Sequence, residues 1–325
     1  MATALAAMMS MPSVPLAHHA TPVEELERLR AALGPSAPRV FIKRDDLLSF
    51  GLGGNKVRKM QTVAAEAQAA GADTLITAGG IQSNHCRVTA ATGAALGLDV
   101  VLVLNGEAPI VATANTRLDL LFGADIRYVP TREARNETMA RIAGELSAAG
   151  RRPFVVPIGA STPIGALGFA RGVLELSSAG VRPDIIVHAS SSGGTQAGLI
   201  AGCALAGLRS RIVGVSADES EESLRAIVTS LLEAVADRLG ASRPAVGLDR
   251  AVEVDDGQVG EGYGIPTPAS VEALELFARR EGVLLDPVYT AKAAAGLIAR
   301  IRSGEIGPEQ SVLFWHTGGQ VAFFQ

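Results

Sequence analysis

Apolar positions along this chain follow two rhythms. Short unbroken runs, such as Val101-Leu102-Val103-Leu104, alternate with longer stretches in which apolar residues recur every three or four positions. Unbroken runs bounded by turn residues predict strands covered on both faces, and the wider spacing predicts amphipathic helices. On this basis strands are expected over 39–43, 74–78, 99–104, 126–129, 153–157, 185–189, 211–215 and 311–315. Helices are expected over 57–70, 83–96, 113–122, 132–149, 165–179, 195–206, 221–239, 270–281 and 289–303. A further helix is expected over 21–33, with Thr21 as cap, Glu24 three residues on, and Leu26, Leu29 and Leu33 on one face. Strands that alternate with helices imply βαβ units and mostly parallel sheets, an α/β fold. The stretch 240–264 is the least regular and is expected to be a surface excursion that returns to an active-site edge.

Length and composition sharpen this picture. At 325 residues the chain exceeds one typical domain, so two lobes are expected. Hydrophobic residues make up 48% and aromatic residues only 4%, so the core must be aliphatic. The net charge of −4, with no basic stripe, speaks against nucleic acid or an anionic membrane as partner. Cys86 and Cys203 provide neither a disulfide framework nor metal spacing, which fits a reducing cytoplasm. Residues 1–20 carry no Lys or Arg and are interrupted by Pro12, Pro15 and the His18-His19 pair. They read as a frayed start before the first helix rather than as a secretory leader. No apolar run approaches the roughly 20 residues that a bilayer requires.

Five segments could carry chemistry. Gly53-Gly54-Asn55-Lys56 places a lysine at a helix start, where the dipole disfavours its charge and favours an amine nucleophile. Ser190-Ser191-Ser192-Gly193-Gly194-Thr195 joins a strand to a helix and offers N–H groups and hydroxyls. It lacks a P-loop lysine and a dinucleotide spacing, which favours a single phosphate ester. Gly79-Gly80-Ile81-Gln82-Ser83-Asn84-His85 gathers uncharged donors at another helix start and suits a carboxylate. Tyr263 and Tyr289, two of only three tyrosines, lie in loop-like contexts where a ring can stack and a hydroxyl can move a proton. His316-Thr317-Gly318-Gly319 follows the last strand, where α/β folds bind ligands. Each segment alone also fits an ordinary surface lysine, turn, cap or buried tyrosine.

Together with Ile42-Lys43-Arg44-Asp45-Asp46, Gly165 to Phe169 and Gly282 to Gly296, these segments resemble the pyridoxal 5′-phosphate-dependent D-cysteine desulfhydrase and 1-aminocyclopropane-1-carboxylate deaminase family. The resemblance runs from about Thr21 to the C-terminus. It implies a two-lobed tryptophan synthase β-like fold, with a small lobe of residues 55–165 inserted in a large lobe of 1–54 plus 166–325, and a homodimer. It also implies roles. Lys56 corresponds to the Schiff-base lysine and the base that exchanges the Cα proton. Asn84 corresponds to the partner of the cofactor's 3-hydroxyl, and Ser83, with Gln82 and His85, to the substrate carboxylate site. Ser192, Gly193, Gly194 and Thr195 correspond to the phosphate cradle. Tyr289 and Tyr263 face the substrate across the pocket. Thr290 and Thr317 stand where the deaminases carry Glu and Leu, and a threonine near the pyridine nitrogen leaves it less protonated than a carboxylate would.

The implied activity is therefore α,β-elimination on a small amino acid, giving pyruvate, ammonia and sulfide. Cyclopropane ring opening, sulfonate elimination from L-cysteate and β-replacement are the rival chemistries. A catalytically silent cofactor-binding protein is the rival outside enzymes. Two segments depart from the family pattern and bear on the substrate: Gly159-Ala160-Ser161-Thr162-Pro163, and Ser49-Phe50-Gly51-Leu52.

Overall fold

The structure, a computed structural model, describes residues 2–325. In chain order the elements are α1 (Ala2–Ser10), β1 (Val23–Glu25), α2 (Glu27–Leu33), β2 (Arg39–Arg44), α3 (Asn55–Ala69), β3 (Thr74–Gly80), α4 (Asn84–Leu96), β4 (Asp99–Asn105), α5 (Ala114–Leu121), β5 (Asp125–Val129), α6 (Ala134–Ala148) and β6 (Pro153–Val155). They continue with α7 (Pro163–Ser178), β7 (Ile185–Ser190), α8 (Gly194–Leu205), β8 (Arg211–Ser216), α9 (Glu221–Leu239), β9 (Glu253–Asp255), α10 (Pro268–Glu281), α11 (Thr290–Arg302) and β10 (Ser311–His316).

The strands form two sheets, of order β1-β2-β10-β7-β8-β9 and β5-β4-β3-β6. Every pairing is parallel except that of β1 with β2. Parallel sheets need cover on both faces, and the central strands are accordingly buried along their length. In the larger sheet, α1, α7, α8 and α9 cover one face, with Phe169 packed 5.3 Å from Trp315. The other face is covered by α2, α10 and α11. In the smaller sheet, α3 and α4 lie on one side and α6 on the other. Helix α3 also packs along α7, so it joins the two layers.

Two expectations about the N-terminal region are corrected. The segment 21–33 is not one helix: Val23–Glu25 pairs with Phe41–Lys43, and the helix begins only at Glu27. Thr21 caps nothing, because its hydroxyl donates to Asp45 at 2.8 Å. Nor is the start frayed. Residues 2–10 form a helix whose Ala4 and Met8 are buried against α7, α8 and α9. Burying one such side chain contributes about 1.5–3 kcal/mol, enough to help hold a short helix in place.

An ion network lies where β2, α3 and α7 meet. Arg58 donates twice to Asp45 at 2.7 Å and to Glu175 at 2.6 and 2.9 Å. Lys43 donates to Glu175 and to Thr21 O, and Trp315 Nε1 donates to Asp45 at 2.8 Å. Buried charges persist only when paired and hydrogen-bonded, so this cluster fixes the position of α3 against the larger sheet. No helix among the described residues is long and apolar enough to cross a membrane.

Candidate active site

The carboxyl ends of β3, β7 and β10 open into one cleft of about 680 Å³ between the two sheets. Such ends are where open α/β sheets bind ligands. The cleft is lined by Asn55 and Lys56 from α3, Ser83 to His85 from α4, Ser190 to Gly193 and Thr195 from the β7–α8 loop, and by Tyr289 and Thr317.

Lys56 sits in the first turn of α3, after the two glycines. Gly54 has φ of +93°, and a Cβ there would lie 2.8 Å from Thr317 O. The bare backbone lets the end of β10 reach α3, where Asn55 N donates to Thr317 O at 3.0 Å. The chain has four lysines, and three of them have committed ammonium groups. Lys43 is tied to Glu175, Lys59 to Gly159 O, and Lys292 to backbone carbonyls. Lys56 makes no side-chain hydrogen bond among the described residues. Burial lowers its pKa from 10.5 to about 8. The result is an uncommitted amine, facing the cleft and partly neutral near physiological pH.

Opposite Lys56, β7 ends in Ser190 and α8 starts at Gly194. Gly193 adopts φ of +75°. Gly194 N donates to Ser192 O at 2.9 Å, and Thr195, which lines the cleft, brings an N–H with no partner inside the helix, as anion sites at helix starts require. Ser192 Oγ accepts from Ser161 Oγ at 2.8 Å, and Thr195 Oγ1 accepts from Asn55 Nδ2 at 2.9 Å. Gly194 is packed too closely for a side chain, since a Cβ there would lie 2.9 Å from Lys59 Nζ. Lys59 therefore borders this cradle, its pKa held well below the usual lysine value by burial and the neighbouring Lys56. Lys59 was not expected here, and Ser161 lies in the segment 159–163 that departs from the family pattern. The signal for Lys59 was its spacing, three residues after Lys56 on the same helix.

The third wall is the start of α4. Ser83 caps the helix, its Oγ accepting from Cys86 N at 3.2 Å. Asn84 and His85 supply backbone N–H groups with no partner inside the helix. Asn84 Oδ1 accepts from Asn115 Nδ2 at 3.1 Å and from Arg87 Nη2 at 3.3 Å. Its carbonyl end is thus committed, and its NH₂ end is left to donate. Thr77 Oγ1 donates to Val156 O at 2.7 Å, so it accepts from His85 Nε2–H at 2.8 Å. That tautomer leaves His85 Nδ1 buried, unpartnered and an acceptor. Burial and the nearby Lys56 and Lys59 hold the ring well below its usual pKa, so it is neutral.

Not all the expected residues reach the cleft wall. The Gln82 amide is turned toward α5, where it accepts from Asn115 N at 2.9 Å. Thr290 is buried, donating to Asp286 Oδ1 at 2.7 Å. It is not among the residues that line the cleft. His85 offers no ring donor to a carboxylate; its contribution there is backbone. Tyr289 lines the cleft, and its hydroxyl lies 2.5 Å from that of Tyr263, which stands at the rim with the rings edge to face at 5.7 Å. Burial raises the pKa of both hydroxyls, and for Tyr289 the neighbouring Tyr263 adds to it.

Fold and cleft together define an enzyme that anchors a phosphate ester beside a reactive lysine. The residues fit pyridoxal 5′-phosphate in three respects: an uncommitted amine, a cradle that a Cβ would fill, and a free amide donor between them. Comparison with known proteins agrees. The family of pyridoxal-phosphate dependent enzymes matches residues 14–318, and this chain belongs to it, with pyridoxal 5′-phosphate as its cofactor. D-cysteine desulfhydrases of Yersinia pestis (strain Pestoides F) and Yersinia pseudotuberculosis serotype O:1b are 39% identical to it over 321 residues, 96% of this chain and 95% of theirs. The crystal structure of an ACC deaminase homologue superposes with a TM-score of 0.91 at 35% identity, over 99% of this chain and 96% of that one. A fungal L-serine ammonia-lyase from Rhizomucor miehei shares the fold, with a TM-score of 0.67 at 18% identity, over 93% of this chain and 94% of that one.

Proposed function

We propose that this enzyme is a lyase that eliminates the β-substituent of a small amino acid, D-cysteine being the substrate to which its relatives point. The products are then sulfide, pyruvate and ammonia. The carrying observation is that Lys56, the one uncommitted lysine among the described residues, opens into the same cleft as the β7–α8 cradle and the free N–H groups of α4. Pyridoxal 5′-phosphate, when bound, supplies an electron sink for charge developing at the substrate Cα.

The chain's own residues then divide the work. Ser192, Gly193, Gly194 and Thr195 hold the phosphate, with Lys59 at the border of the cradle. The Asn84 amide donates to the ring oxygen. Ser83 Oγ and the N–H groups of Asn84 and His85 bind the substrate carboxylate at the positive end of α4. Lys56 Nζ, partly neutral at working pH, takes the Cα proton. Tyr289 keeps its hydroxyl proton because burial raises its pKa, and it passes that proton to the departing thiolate, with Tyr263 as its partner. Thr317 presents a hydroxyl and, among the described residues, no carboxylate lines the cleft, which keeps the ring less charged and suits a good leaving group. The lobes we propose as the working units are residues 55–165 and residues 1–54 with 166–325.

The reading is tested by incubating the purified holoenzyme with D-cysteine, L-cysteine, L-cysteate and 1-aminocyclopropane-1-carboxylate. Sulfide and pyruvate from D-cysteine are expected. Release of 2-oxobutyrate alone, sulfite alone, or no product from any of the four overturns it. We also propose a cytoplasmic homodimer. Its support is the run of exposed apolar residues on and near α5, with Ile110, Val111, Leu120 and Leu121 beside the C-terminal turn that carries Phe323 and Phe324. A monomer by light scattering at micromolar concentration contradicts the dimer.

A further inference from the structure

Lys292 lies in the first turn of α11, three residues after Tyr289, and is fully buried. A cation in that position opposes the helix dipole. No carboxylate contacts it among the described residues. Its Nζ instead donates to three backbone carbonyls: Val259 O at 2.7 Å, Gly262 O at 2.9 Å and Ala217 O at 3.4 Å. An ammonium has three donors and no acceptor, so this cage uses it fully. A neutral amine would direct a lone pair at a carbonyl oxygen. A ring of carbonyls around a buried positive charge is the environment that proteins otherwise build for a hard cation.

The three carbonyls come from segments that bear on the cleft. Val259 and Gly262 belong to the loop that delivers Tyr263 to Tyr289. Gly260, Gly262 and Gly264 in that loop have φ of +63°, +143° and +77°, so its backbone is costly to order and needs an external tie. Ala217 follows β8, and its N–H donates to Ser190 O at 3.0 Å, at the end of β7 beside the cradle. Lys292 thus stands where one charge can draw the Tyr263 loop, the end of β8 and the base of α11 together.

We propose that Lys292 is a tethered cation: its ammonium fills a carbonyl site that would otherwise take a free monovalent cation, and by doing so it positions Tyr263 on Tyr289. It is a positioning residue, and the inference rests on the tyrosine pair working in the cleft described above. It predicts that shortening the side chain converts an enzyme indifferent to monovalent cations into one that depends on them.

The test compares wild-type and Lys292→Ala holoenzymes in tetramethylammonium chloride, whose cation is too large for the cage, and in titrations of ammonium and potassium chloride. Two readouts are followed: kcat and KM for D-cysteine, and hydrogen exchange of the 257–264 amides, which needs no substrate. In tetramethylammonium the variant should lose at least about 10-fold in kcat, since misplacement of a catalytic group by about 1 Å can cost as much as 100-fold. Its 257–264 amides should exchange faster. Ammonium or potassium should restore both, saturably, with wild type unmoved. Lys292→Met, which fills the space without charge, should show the loss without the rescue. A variant whose loss no cation reverses, or whose loop amides exchange as in wild type, overturns the proposal. If Lys292→Ala folds only in ammonium or potassium buffer, the proposal stands. If it folds in none, Lys292→Gln decides: wild-type kcat in that variant overturns it, and a lowered kcat supports it. A wild-type enzyme inert toward every amino acid counts against the lyase reading alone, because the exchange data still judge the cage.

Discussion

The rate at which the apoenzyme captures pyridoxal 5′-phosphate, followed from about pH 6 to about pH 10.5, reads the protonation of Lys56. Burial moves its pKa from 10.5 to about 8, a difference equivalent to about 3 kcal/mol against the charged form. At pH 7 an amine of pKa 10.5 is neutral in only about 0.03% of molecules, and one of pKa 8 in about 9%, roughly a 300-fold gain in nucleophile. The capture rate should rise through pH 7 and level off above about pH 8, whereas that of N-acetyl-lysine in the same buffers should keep climbing to about pH 10.5. Lys56→Met should capture nothing at any pH. The same shift affects stability. Between about pH 8 and 10.5 the unfolded chain holds more protons than the folded one, so the cost of burying Lys56 is greatest below about pH 8 and fades as pH rises through that window. A capture rate that climbs tenfold per unit to pH 10 would show a solvated lysine and refute the reasoning.

Three further outcomes are expected. Tyr289→Phe should lower kcat by about 10- to 1000-fold and leave the absorbance of the bound cofactor intact; an unchanged kcat removes the hydroxyl from proton transfer. Gly54→Ala should destabilise the protein by about 2–4 kcal/mol in urea unfolding, because φ of +93° and the contact with Thr317 O both resist a Cβ, and a wild-type midpoint would contradict that packing. Arg58→Met should cost about 3–5 kcal/mol by leaving Asp45 and Glu175 buried without their guanidinium. Burial alone would raise the Asp45 pKa, but Arg58 overrides it and holds the carboxyl low. The stability Asp45 contributes is therefore present above its unfolded pKa and lost as pH falls through the folded one; in the variant, where burial raises that pKa unopposed, the deficit should narrow as pH falls.

Most of the fold was legible because its signals are local. The central strands are unbroken apolar runs, and Ser83 and Gly97 close the ends of α4 as their residue types suggest. The failures arose where distant contacts override local pattern. Thr21 and Glu24 have the spacing of a helix cap, yet pairing with β2 and the Arg39–Glu25 ion pair claim that segment for an edge strand. Nothing near Met8 announces its burial, which depends on helices that lie more than 150 residues away. At the cleft, side-chain type located the segments, but not which atoms remained free. Gln82 and Thr290 carry suitable groups, and each spends them on a neighbour, Asn115 or Asp286. Lys59 and Lys292 were passed over because their partners are backbone atoms up to 100 residues away.

The account turns on which of the four lysines holds the cofactor. Reduction of the holoenzyme with borohydride, followed by digestion and peptide mass mapping, fixes the pyridoxyl group on its attachment site. All of the label is expected on Lys56. Label on Lys59, Lys43 or Lys292, or no label in a protein that retains the cofactor, would contradict the account.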